Sequence, residues 1–229
     1  MTTPTTGISS MATRALLAEL AAAYAQGVGA PVRVESVGGV DAAKRVQAGE
    51  PFDFAVLAAD AIDQLAAGGH VLADSKVDLA NSLVAVAVRH GQARPDISSQ
   101  DAVKRAVLSA RSIGYSTGPS GVALIKLFER WGIAGEIGNR LVQAQPGVPV
   151  AALLARGDVA LGFQQLSELL NVEGVDVVGA LPAAIQIKTT FSAAICRAAR
   201  QAAAALQFLQ YIASPQAAAV KRRHGMDPA

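Results

Sequence analysis

The sequence predicts an α/β fold class, built as two lobes with two crossings of the chain and an anion cleft between the lobes. Three observations carry this expectation. Helical and strand patterns alternate along the chain, the signature of helices packed on a mainly parallel sheet. Several strand-to-helix turns are made of serine and glycine. The composition, 52% hydrophobic with only 4% aromatic over 229 residues, supplies a large aliphatic core. It argues against disorder and against aromatic platforms for single-stranded nucleic acid.

The elements follow in order. A short polar strand before Ser9 leads through Ser9-Ser10 into a helix over 11–24, stopped by Gly27 and Gly29. Residues 32–36 alternate as a strand, and Gly38-Gly39 turn the chain into a helix over 41–48 that ends at Gly49. The apolar run 52–59 reads as a central strand covered on both faces, and Asp60 caps a helix over 61–67. A second unit opens with a strand at 82–88, a helix at 99–107 and a strand at 112–116. Thr117-Gly-Pro-Ser-Gly121 then leads into a helix at 122–131. Residues 148–155 are helical, while 159–164 and 175–178 are strands. The segment 185–195 is long enough to cross back, and helices at 200–212 and 215–223 close the chain. The expected lobes are 1–81 with 192–229, and 82–191.

Charge and cysteine content narrow the function classes. The formal net charge is only +2, and Lys221-Arg222-Arg223-His224 is the one basic run, too short for a nucleic-acid footprint. It reads as a solvated helix end that complements the macrodipole. The single cysteine, Cys196, excludes an intrachain disulfide and reads as a buried, inert thiol rather than a nucleophile. His70, His90 and His224 fall at turns or the tail without metal-ligand spacing, so no metal and no cofactor are expected. No apolar run approaches the roughly 18 residues of a membrane span. The start, Met1-Thr-Thr-Pro-Thr-Thr, has no basic region and no apolar secretory core. With Met1 as the native start the expected location is the cytoplasm; with a leader removed it is the periplasm.

Four strand-to-helix turns are rich in small or polar residues: Ser9-Ser10, Gly38-Gly39, Ser116 to Gly121, and Gly147 before Val148. A helix start presents unpaired N–H groups and about half a positive charge, small residues let a ligand approach the backbone, and hydroxyls add donors. Each turn alone is an ordinary helix start. Only their convergence would make a site.

These residues also resemble a known family. Gln47-Ala-Gly-Glu-Pro-Phe-Asp53 followed by Ala58-Ala-Asp60 is similar to a conserved block of periplasmic molybdate-binding proteins. Ala155 to Gly162, Tyr211-Ile-Ala-Ser-Pro-Gln-Ala and the ending His224 to Ala229 resemble further blocks of that family. The resemblance covers nearly the whole chain and implies the type II solute-binding-protein fold. In that family an oxyanion is held by two serines, backbone N–H groups and a tyrosine. The first serine maps onto Ser9 or Ser10, the second onto Gly38-Gly39, the backbone sites near Ser120-Gly121 and Gly147, and the tyrosine onto Gln165. Two side-chain contacts to a tetrahedral oxyanion are therefore absent here.

The opening Ser9-Ser-Met-Ala-Thr-Arg14 and the strand exit Gly162-Phe-Gln-Gln-Leu-Ser-Glu168 are similar to a divergent branch, the bacterial aconitate isomerases. That resemblance implies isomerisation of cis- and trans-aconitate by an allylic proton shift. Such chemistry needs cationic or N–H partners for the carboxylates and one acid–base group. Arg14, about one turn into its helix, is the candidate clamp, with an exposed surface arginine as the plain alternative. Gln164 and Gln165 are candidate donors to a planar carboxylate, and Ser116 is a candidate ligand-binding residue of the Ser116 to Gly121 turn. Tyr115, Lys188 and Asp60 are the candidates for the proton shift, and Asp60 reads first as a helix cap. Two readings stand: an isomerase of a small unsaturated polycarboxylate, and a solute receptor that hands an oxyanion or organic anion to an ABC permease without catalysis. In both, the partner is a small anion rather than nucleic acid, and no membrane insertion is expected.

Overall fold

The computed structural model describes residues 3–28 and 30–229. They divide into two compact units, Met1–Ser82 with Thr189–Ala229, and Leu83–Lys188, so the chain passes between units at 82/83 and at 188/189. In chain order the elements are β1 (Thr5–Ser10), α1 (Arg14–Val28), β2 (Val32–Val37), α2 (Gly39–Gln47), β3 (Phe54–Ala58) and α3 (Ala59–Ala67). Strand β4 (Val77–Arg89) begins in the first unit and ends in the second. The second unit continues with α4 (Gln100–Ser109), β5 (Ile113–Tyr115), α5 (Pro119–Arg130), α6 (Ala134–Ile137) and β6 (Leu141–Gln143). It is completed by α7 (Val150–Arg156), β7 (Leu161–Gln165), α8 (Leu166–Leu169) and β8 (Val175–Ala180). Then β9 (Lys188–Ile195), α9 (Ala202–Ala213), α10 (Ala218–Arg223) and β10 (Met226–Pro228) close the chain.

In the first unit the strand order is β2-β1-β3-β9-β4, with β10 pairing β4. Strand β1 is parallel to β2 and β3, whereas β9 is antiparallel to β3. Every residue of β3 is buried, and its period of two splits them between two layers. Phe54 and Val56 pack with Leu17, Tyr24 and Phe208 of α1 and α9, while Ala55 and Leu57 pack with Ile62, Leu65 and Val46 of α3 and α2. The phenylalanine leaves no room at its neighbour: a Cβ on Gly7 would come within 2.2 Å of the Phe54 ring.

The second unit repeats this logic. Val84, Val86 and Val88 of β4 face the core under α4 and α5, and Ala85 and Ala87 face α7. The α7 face is lined by small residues because that helix lies close to the sheet. A Cβ on Gly162 would meet Leu154 at 2.7 Å, and one on Gly114 would meet Val150 at 3.0 Å. Strand β5 is parallel to β6 and β7, whereas β4 is antiparallel to β7 and β8.

Several expectations need correction. The sheet is mixed rather than mainly parallel, because β4 and β9 run against their neighbours. Gly27 does not stop α1, which runs to Val28; Gly29 lies outside the described residues. Helix α5 starts at Pro119, whose fixed φ suits the first helical position, so Ser120 and Gly121 belong to its first turn rather than to a preceding loop. Lys221 is not part of a solvated helix end. It is 1% exposed, and burial holds its ammonium pKa below the usual lysine value. Arg223 and His224 do lie at that helix end, where both pair with Glu19.

The motif aspartate Asp53 has a structural task. Its Oδ2 accepts from the Thr6 N–H at 2.8 Å and the Thr6 hydroxyl at 3.1 Å. Its Oδ1 accepts from the N–H groups of Arg200 and Gln201, each at 2.8 Å. One carboxylate thereby joins the start of β1 to the start of α9. Burial raises its pKa, but these hydrogen bonds outweigh that and hold it below the usual aspartate value.

Candidate functional site

The parallel strands decide where polar residues gather. In open α/β sheets, ligands bind beyond the carboxyl ends of the strands, where helix starts collect. In the first unit, β1 and β2 end side by side, with Ser9 opposite Ser36 and Ser10 opposite Val37. The two serines differ in what they can offer. The Ser9 hydroxyl shares a 2.8 Å hydrogen bond with Ser36 and reaches the Ser10 carbonyl at 3.2 Å. The Thr13 hydroxyl donates to that same carbonyl at 3.1 Å. The Ser10 Oγ is buried and has no hydrogen-bond partner among the described residues. A Cβ on Gly39 would come within 3.6 Å of the Ser10 Cβ, so the start of α2 lies against this serine. Gly38 is the N-cap of that helix and brings no side chain.

Arg14 is exposed at the first position of α1. Asp60 is exposed in the first turn of α3, where its Oδ1 accepts from the Ala61 N–H at 2.9 Å; the N-cap itself is Ala58. The neighbouring cation Arg45 is committed elsewhere, to Glu35 at 2.5 Å and Glu50 at 2.8 Å.

In the second unit, β5, β6 and β7 end together, with Tyr115 opposite both Gln143 and Phe163. The Ala144 N–H donates to the Tyr115 carbonyl at 2.9 Å, holding the exits of β5 and β6 together. After β5, the Ser116 and Ser120 hydroxyls meet at 3.2 Å. Gly121 is required there: a Cβ would sit 1.8 Å from the Ser116 carbonyl oxygen. Gly147 takes a φ of 77°, in the left-handed region that glycine tolerates, just before α7. Gln164 continues the small-residue face of β7 two positions past Gly162, which carries its side chain under the first turn of α7. There its Oε1 accepts from the Ala151 N–H at 3.4 Å, and its Nε2 donates to Glu168 Oε1 at 2.8 Å. Gln165 is buried as the N-cap of α8.

Glu168 is not among the sequence candidates. It sits in the four-residue helix α8, inside the strand exit that carries the resemblance, but no pattern in the sequence tells that its carboxyl is enclosed. Enclosure by protein pushes its pKa up to about 7, against the downward pull of the Gln164 amide. A carboxyl balanced near neutrality can both take and return a proton.

The sequence candidates thus fall into two clusters: Ser9, Ser10, Gly38 and Gly39 in the first unit, and Ser116, Ser120, Gly121, Gln164 and Gln165 in the second. Tyr115 directly precedes Ser116 in the chain, and its carbonyl is taken by the Ala144 N–H. Lys188 is exposed at the start of β9. Cys196 is buried, and burial pushes its thiol up to about 12, helped by the negative charge of Asp53. Among the described residues no helix is long and apolar enough to cross a membrane.

Comparison with known proteins places this architecture. Residues 6–227 match the family model described as bacterial extracellular solute-binding protein. An aconitate isomerase from Pseudomonas sp. is 38% identical over 99% of this chain and 88% of its own length. The Azotobacter vinelandii periplasmic molybdate-binding protein superimposes with a TM-score of 0.82 at 21% identity, covering 96% of this chain and 97% of its own. The sulfate-binding protein of Mycobacterium tuberculosis gives 0.80 at 18% identity, covering 100% and 88%. The fold is therefore that of the type II solute-binding proteins, and the chain belongs to the bacterial extracellular solute-binding protein family.

Proposed function

We propose that this protein binds a small unsaturated polycarboxylate and isomerises it by an allylic proton shift of the aconitate type. The observation that carries the proposal is the Glu168 carboxyl at the exit of β7, held by the Gln164 amide at 2.8 Å, where burial pushes its pKa up to about 7. In the proposed reaction the Glu168 carboxylate takes a proton from the methylene carbon of aconitate. The electron pair left behind spreads over the allylic system and onto the adjacent carboxylate. The protonated Glu168 then returns a proton to the other allylic carbon, so the double bond has moved and the enzyme is regenerated. One proton leaves carbon and one returns, with no net redox change. Negative charge builds on a carboxylate during this step, and preorganised donors that await it contribute most of the stabilisation such a site can give.

Candidate donors are available in both units. In the first, the Ser10 hydroxyl, the 38–39 turn and Arg14 are proposed to hold a carboxylate. In the second, Ser116, Ser120 and Gln165 are proposed for the same role. The match to an aconitate isomerase at 38% identity supports this reading over that of a plain oxyanion carrier. So does the pair Gly38-Gly39, which has no hydroxyl to offer a tetrahedral oxyanion.

The family description favours a second reading: a receptor that delivers an organic anion to an ABC permease outside the cytoplasm, without catalysis. One experiment separates them. Incubation with cis-aconitate, followed by chromatography, is expected to yield trans-aconitate, with Glu168→Gln slower by roughly 10²–10⁴-fold in kcat while still binding substrate. No turnover, together with thermal stabilisation by molybdate or tungstate, would refute the isomerase.

A further inference from the structure

The second unit carries another concavity, at the opposite ends of β5 and β7 from the candidate site. It is a groove of about 800 Å³, bordered by the end of β4, the end of α4 and the residues leading into β5 and β7. Its aliphatic surface comes from residues such as Val88, Ala106 and Val159, and three arginines line it: Arg89, Arg94 and Arg111. No carboxylate and no aromatic ring is among the lining residues. Among the described residues, of the three guanidinium groups only Arg94 approaches a carboxylate, Asp176 at 3.8 Å. That carboxylate is already engaged by His90 at 3.0 Å and the Gly91 N–H at 3.2 Å. The Arg89 and Arg111 guanidinium groups make no hydrogen bond or ion pair among the described residues.

An arginine beside a helix end often caps its carbonyls, but that task is taken here. Arg140 donates to the Leu108 and Ala110 carbonyls at 2.7 Å each, at the end of α4. The backbone also makes room for a guanidinium. Gly157, with φ at 81°, follows α7, and a Cβ there would lie 3.2 Å from Arg89 Nη1. Nearby, Ser112 Oγ accepts from the Ala160 N–H at 3.0 Å, which leaves its own proton to donate. Arg89 and Arg111 face this concavity without a countercharge, Arg94 keeps only a distant one, and guanidinium matches carboxylate and phosphate oxygens in paired geometry.

We propose that this groove is a second anion site, which takes a small multivalent anion carrying phosphate or carboxylate groups on a compact, non-aromatic frame. The site is separate from the one assigned to isomerisation and stands without it. Titration of the uniformly 15N-labelled protein with tripolyphosphate and, separately, with citrate distinguishes the two anion chemistries. The backbone amides of Ser112, Gly157 and Ala160 report on the groove. Saturable shifts of those amides with either anion are expected. The exposed double substitution Arg89→Gln/Arg111→Gln is expected to weaken that binding at least tenfold and to leave cis-aconitate turnover unchanged. Glu168→Gln is expected to leave the groove titration unchanged. The proposal fails if neither anion moves these amides saturably, or if the double variant binds as tightly as the parent.

Discussion

The Gln164 side chain lies between a helix start and an acid: its Oε1 accepts from the Ala151 N–H, and its Nε2 donates to Glu168 at 2.8 Å. That arrangement fixes which way the amide faces, because only its nitrogen can donate to the carboxylate. It also holds the Glu168 carboxyl in one place while enclosure keeps its charged form unfavourable.

The first prediction follows from the direction of that shift. The folded-state pKa of Glu168, about 7, lies above its ordinary 4.5, so the folded protein binds the extra proton more tightly. The resulting stabilisation is full below pH 4.5 and is lost as the pH rises through 7. Relative to the parent, Glu168→Gln is therefore expected to gain about 3 kcal/mol in stability between pH 4 and pH 8. Urea unfolding at both pH values measures it, and an equal difference at the two would show that the carboxyl is not held as described.

Ser9 and Ser10 should respond differently. Ser9→Ala breaks the bond to Ser36 and is expected to cost about 1 kcal/mol. Ser10→Ala removes a buried hydroxyl without a partner, so stability should hold or rise slightly. Its effect should appear in substrate affinity, as a several-fold rise in KM. Thermal unfolding and steady-state kinetics on the two variants check the assignment, which reversed roles would contradict.

Asp53→Ala leaves the N–H groups of Thr6, Arg200 and Gln201 without their acceptor. The expected loss is about 3 kcal/mol or more. Because the folded pKa of Asp53 lies below the ordinary 3.8, its contribution is present above that pH and fades as the pH falls through the folded value. Parent and variant should accordingly converge in acid. A difference that persisted undiminished at pH 2 would argue against the carboxylate as the staple.

Gly121→Ala places a methyl group 1.8 Å from a backbone oxygen that cannot rotate away. The first turn of α5 has to move, at a cost of at least about 2 kcal/mol. Denaturant unfolding reports this, and a variant as stable as the parent would show that the turn is looser than described.

Much of the fold was legible because its cause is local. The apolar run 52–59 announced β3, and the helix read at 99–107 is α4, whose N-cap Ser99 accepts from the Ala102 N–H at 3.2 Å. What escaped depends on tertiary partners. Strands β6 and β10 are three residues each and exist because β5 and β4 offer edges to pair with. Lys221 looks like its exposed neighbours in sequence, and only packing buries it. In the site, the glycine and serine turns were legible from residue type. The difference between Ser9 and Ser10 was not, because it rests on the cross-strand hydroxyl of Ser36. Glu168 was missed for the same reason: a glutamate one turn past a strand reads as a solvated residue until its enclosure and its bond to Gln164 are seen.

The central claim is a proton transfer at carbon. Incubating the protein with cis-aconitate in deuterated buffer and following both isomers by proton NMR tests it most directly. The account predicts that trans-aconitate forms and that Glu168→Gln abolishes or greatly slows its formation; deuterium at an allylic carbon marks turnovers in which the Glu168 proton exchanged with solvent before its return. Unchanged cis-aconitate, or trans-aconitate formed at the parent rate by Glu168→Gln, would contradict it.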